Sequence, residues 1–114
     1  MFQIALASRA TSGHYAPVAE FLIRTTDSHE WPAFRDPFDS VLIPAGSDFR
    51  AIEGWGDFRM ATGDTVVAFS GEEVGWQVTV EGPMTAERAE TLVGIVTEQI
   101  GQSYGEPCEW LRLA

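Results

Sequence analysis

The sequence predicts an α+β domain built on a single antiparallel sheet of about five to six strands, with two helices packed on one face. Three observations point there. Residues 74–81 alternate apolar and polar side chains, the signature of a strand with one buried face. Residues 85–104 instead keep their apolar side chains at helical spacing. Between them and upstream, short apolar runs are punctuated by Gly and Pro, as in antiparallel sheets with tight connections. With 114 residues the chain makes one domain, 1–114, and folding hides roughly two-thirds of its unfolded surface. Neither a repeat nor a linker divides it.

Taken in order, Phe2–Ala7 is a short apolar run that fits a buried strand, followed by a polar loop over residues 8–14. Pro17 suits the first turn of a helix. Val18, Phe21, Leu22 and Thr25 recur at i, i+3, i+4 and i+7, which predicts a helix over residues 15–25. Pro32 and Pro37 push their preceding residues away from helical geometry, so 27–37 reads as an irregular loop. Phe38–Ile43 reads as a strand ended by Pro44-Ala45-Gly46-Ser47. Residues 49–53 and 57–61 flank Gly54-Trp55-Gly56 as a hairpin. A second hairpin covers 65–81, turning at Ser70-Gly71-Glu72-Glu73, with Val74, Trp76, Val78 and Val80 inward and the opposite face in solvent.

Gly82-Pro83-Met84 ends that strand and Thr85 caps the second helix, with Glu87 in its first turn. Ala89, Leu92, Val93, Val96 and Ile100 form its inward stripe. Gly105 supplies a left-handed cap and Pro107 forbids continuation. Cys108–Leu113 is short enough for a last strand, on which the face of Trp110 is ambiguous.

Charge narrows the function. Seventeen acidic residues face seven basic ones, all arginine, for a net charge of −10. Residues 1–26 carry two arginines and one acid, 27–64 eight acids and three arginines, 65–114 eight acids and two arginines. This acidity opposes nucleic acid and anionic membranes as partners. The absence of lysine excludes Schiff-base chemistry and phosphate-loop lysines. Cys108 is the one cysteine, which precludes an intrachain disulfide and favours a reducing cytoplasm. Residues 1–10 lack the basic start and long apolar core of a signal peptide, and no run reaches the roughly 20 residues of a membrane span.

The catalytic candidates are sparse. His14 and His29 show no ligand spacing, so neither metal nor cofactor is expected, although His29 with Asp27 and Asp36 could assemble a site across a loop. Glu106 and Glu109 flank Cys108 and disfavour its thiolate, which reads as a small buried hydrophobe. No nucleophile elbow surrounds Ser70. Paired carboxylates beside Trp31 or Trp55 would suit a sugar site, but so small a domain seldom holds a deep cleft. The loop from Arg9 to His14 could offer backbone N–H groups to an anion, yet it matches no phosphate-binding fingerprint.

What remains is an acidic surface with loop aromatics. Asp27, Glu30, Asp36, Asp39, Asp48, Glu53 and Asp57 surround Trp31 and Trp55. Carboxylates steer a basic partner and indoles give contact area at small entropic cost. In size and charge the chain is similar to bacterial immunity proteins that neutralise toxins. The expectation is a non-enzymatic cytoplasmic inhibitor that binds a basic toxin or nuclease-like effector stoichiometrically through those nine residues. Two alternatives stay open: a phage-type inhibitor that mimics nucleic acid, and a small enzyme or ligand-binding domain with a site near residues 27–37.

Overall fold

The computed structural model describes residues 17–26 and 39–114. Its elements are β1 (Pro17–Thr25), α1 (Asp39–Leu42), β2 (Arg50–Ala51), β3 (Phe58–Thr62), β4 (Thr65–Glu72), β5 (Gly75–Glu81), α2 (Ala86–Tyr104) and β6 (Cys108–Arg112). The strands form one six-stranded sheet in the order β2-β3-β4-β5-β1-β6, antiparallel at every pairing. The expected strand Phe2–Ala7 and the loops over 8–14 and 27–37 lie outside the described residues. No helix among the described residues is long and apolar enough to cross a membrane.

Two assignments from the sequence are overturned. The expected helix over 15–25 is β1, which pairs with β5 on one side and β6 on the other. Its apolar residues satisfied two periods at once. Ala19, Phe21, Ile23 and Thr25 also alternate, and these are the ones the strand buries. Leu22, central to the helical stripe, falls on the opposite face beside Gln77 and Leu111. Two flanking strands satisfy its backbone and reward its β-branched and aromatic side chains, and this decides between the periods.

The second overturned assignment is the strand Phe38–Ile43, replaced by the single turn α1. Val41 and Leu42 are adjacent and both enter the same core, whereas a strand would send neighbouring side chains to opposite faces. Gln99 of α2 holds this segment. Its Nε2 donates to the carbonyls of Val41 and Ile43, each at 3.0 Å, and its Oε1 accepts from Ala45 N at 2.8 Å. One side chain thereby supplies partners that a sheet ladder would otherwise provide.

The first hairpin stands, though β2 shrinks to Arg50–Ala51. The second stands with a shifted turn: Glu73 and Val74 form the tip, so Val74 is 61% exposed instead of facing the core. A further correction concerns β5 itself. Its polar face was expected in solvent, yet Gln77, Thr79 and Glu81 are as hidden as Trp76, Val78 and Val80. The strand lies in the interior of the sheet, with β4 and then β3 on one side, β1 and then β6 on the other.

α2 follows its sequence closely. Thr85 accepts from Arg88 N at 3.2 Å, and Gly105 closes the helix at φ 73° with its N–H on the Gly101 carbonyl. The stripe Ala89, Leu92, Val93, Val96, Ile100 enters one core with Phe21, Ile23, Met60, Val67, Phe69, Trp76, Val78 and Val80. Phe69 meets Trp76 edge to face, and Phe21 meets Trp110 likewise, so Trp110 belongs to the core side of β6.

Candidate partner-binding surface

Of the nine residues singled out for partner binding, Asp27, Glu30, Trp31 and Asp36 lie outside the described residues. Asp39 opens α1, the turn that Gln99 ties to α2. Asp48, Glu53 and Asp57 are exposed, and Trp55 is half-buried.

The stretch from Ile52 to Arg59 is held by its own chemistry. Ile52 N donates to Arg59 O, and Asp57 N donates to Phe69 O, each at 2.8 Å. A Cβ at Gly56 would lie 2.9 Å from the Phe69 carbonyl oxygen, and its φ of 96° is open chiefly to glycine, so this position admits little else. The Arg59 side chain lies across Gly54 and places its guanidinium 5.5 Å from the centre of the Trp55 ring. Trp55 Nε1 and Arg59 Nη1 are buried and have no hydrogen-bond partner among the described residues. The loop indole expected to stand free is thus stacked against the cation two strands' width from β5.

Asp57 links this loop to the second hairpin, because its Oδ2 accepts from Gly71 N at 2.6 Å. The sheet register then brings further acids to the same end. Glu72 ends β4 beside the hairpin tip and Glu73 stands in it, Ser70 Oγ donates to Glu72 Oε2, and exposed Val74 follows Glu73 in the tip. β1 finishes and β6 starts there, with Thr26 N donating to Pro107 O at 2.9 Å. This adds Glu106 and Glu109, the latter bonded to Arg24 Nε at 2.7 Å. The rim Asp57–Glu72–Glu73–Glu106–Glu109 was not singled out from the sequence. Its members are up to 52 positions apart, 57 to 109, and only strand pairing assembles them.

Cys108 sits beside this rim. Burial, and then the Glu106 carboxylate, push its thiol above the usual range, and Sγ donates to Glu106 O at 3.6 Å. Tyr104 is raised by burial and then by the neighbouring Cys108. At neutral pH both hold their protons, which opposes a nucleophilic role for the thiol. Among the described residues no group of three or more His, Cys, Asp or Glu side chains is placed to hold a metal ion.

No protein-family model, curated protein or solved structure matches this chain.

Proposed function

We propose that this domain is a small acidic inhibitor of the immunity-protein kind, which neutralises a basic toxin or effector in the cytoplasm by one-to-one binding and performs no reaction itself. The observation that carries the reading is the acidic rim. Asp57, Glu72, Glu73 and Glu106 lie at one end of the sheet, the Arg24 charge there is already engaged by Glu109, and Val74 stands exposed next to Glu73. Such a surface accelerates encounter with a basic protein, and an exposed apolar residue beside the charges gives a contact that outlasts the encounter.

The test is recovery of a basic protein from the native host on immobilised domain, followed by size-exclusion chromatography of the reconstituted pair. The expected result is a one-to-one complex whose association slows at least tenfold for Glu72→Arg/Glu73→Arg, while the variant's unfolding midpoint is retained. Unchanged association would overturn electrostatic capture by this rim. An affinity that collapses with salt along its whole range would favour the nucleic-acid mimic over an interface with an apolar centre.

A second reading, a ligand-binding domain, draws on one observation. Gln77 Nε2 and Glu81 Oε2 lie buried on the face of β5 opposite Trp76 with no hydrogen-bond partner among the described residues, and a polar ligand reaching either would supply one. A thermal-shift screen of small amides and zwitterions, with Gln77→Leu as control, separates the two readings. A stabilising ligand whose effect vanishes in that variant would favour this one.

A further inference from the structure

α2 and β6 run antiparallel and are pinned together at both ends. Arg112 Nη1 bonds Glu90 Oε2 at 3.0 Å at one end. At the other, the N–H groups of Gly105 and Glu106 both donate to Gly101 O. A Cβ at Gly101 would lie 2.9 Å from Glu106 O, so the elements touch there through backbone. Between the pins they part around an open groove of about 670 Å³. Gly94 makes this room, since it presents no side chain toward Trp110, whose Nε1 would stand 3.7 Å from a Cβ at that position.

The groove's chemistry is one-sided. Glu98 and Glu106 line it together with the Trp110 indole, the Glu109 carboxylate being taken by Arg24 on the other face of β6, and no basic side chain is among its lining residues. Trp110 is steadied from behind by Phe21, ring centres 5.5 Å apart at 78°. An indole held rigid beside two carboxylates, Glu98 and Glu106, fits a flat, weakly hydrated cation, because guanidinium stacks on indole and forks onto carboxylate oxygens. An ammonium matches only the charge. We infer that this groove receives an arginine side chain from an exposed basic segment of the partner. The inference rests on the reading of the domain as a binder of a basic protein, and gives that reading a second contact next to the rim at Glu106 and Glu109.

The test uses the whole chain and a capped Gly-Arg-Arg-Gly peptide, followed by the NMR signals of the Trp110 indole N–H and the Gly94 amide. Saturable shifts of both are expected at low salt. The same peptide with citrulline, isosteric but uncharged, should bind at least tenfold more weakly. Gly94→Leu fills the groove and is expected to lower affinity at least tenfold while improving helix propensity. Glu98→Gln keeps the groove open and should weaken the peptide severalfold, which guards against a folding artefact in the larger substitution. Equal binding of the citrulline peptide, unmoved Trp110 and Gly94 signals, or unchanged affinity in Gly94→Leu would each overturn the assignment. If a recovered basic partner still binds Gly94→Leu one-to-one and at full strength, the groove falls and the rim reading stands. If the arginine peptide binds as described while Glu72→Arg/Glu73→Arg leaves association with that partner unchanged, the groove stands and the rim falls.

Discussion

The two faces of β5 are buried to the same degree by opposite chemistry. Trp76, Val78 and Val80 meet the stripe of α2 in an apolar core, whereas Gln77, Thr79 and Glu81 are hidden with polar atoms that include two lacking any partner among the described residues. The difference teaches that burial in this strand does not follow side-chain character, since its polar face is covered as fully as its apolar one. An apolar row of this kind stabilises by about 1.5–3 kcal/mol per large side chain. A buried amide or carboxylate without a partner opposes folding by about 1–3 kcal/mol. The same strand thus carries a stabilising face and a costly one.

The strongest challenge to that contrast is Trp76→Ala. Trp76 is 1% exposed and packs edge to face on Phe69, so truncation should cost about 3–5 kcal/mol, measured by urea denaturation. A loss below about 1 kcal/mol would show that the core face is not the stabilising one. Next in size is Gly75→Ala at the start of the strand. Its φ is 154°, and a Cβ would collide with the Ile23 carbonyl oxygen on β1. The new methyl must push β1 away from β5 and should cost more than about 1 kcal/mol, through backbone and independently of either face. A neutral outcome would mean that β1 and β5 approach less closely at that end than the register implies. On the polar face the expected sign reverses. Gln77→Leu removes a buried donor that has no acceptor among the described residues and should raise stability by about 1 kcal/mol. A loss of similar size would mean that the amide has a partner in solution, and the contrast between the faces would weaken.

The sequence showed what local chemistry decides. Thr85, the stripe Ala89–Ile100 and the pair Gly105–Pro107 bound α2 because caps and period are written within a few residues. The hairpin over 65–81 and the burial of Trp76 were legible for the same reason. Residues 17–25 were misread because Phe21 and Thr25 fit both periods, and the choice was made by β5 and β6, which lie over 50 and over 80 residues downstream. α1 was misread because its stabilising partner, Gln99, is 58 residues from Val41. The burial of Gln77 and Glu81 was invisible for a related reason, since alternation reports which residues share a face but not whether that face is covered. Of the candidate surface, Asp48, Glu53 and Asp57 emerged exposed as their polarity implied. The rim through Glu72, Glu73, Glu106 and Glu109 needed the register.

The smallest effect lies at the end of β6, where the core side meets solvent and the contrast between faces should fade. The Cys108 thiol is raised above its ordinary value of 9.0 by burial and by Glu106. In the unfolded chain it ionises first as pH climbs, so between the unfolded and folded values the native state holds more protons. Stability then falls with rising pH, the contribution being complete below about pH 9 and lost as pH passes the folded value. Denaturant unfolding at pH 7, 9 and 10.5 should therefore show a steeper decline for the native chain than for Cys108→Ser. Tyr104, raised chiefly by burial, titrates in both chains, so their difference isolates the thiol and its coupling to that phenol. Parallel curves would mean that the thiol is as hydrated in the fold as outside it, and that the apolar face of the sheet ends at Trp110 rather than at Cys108.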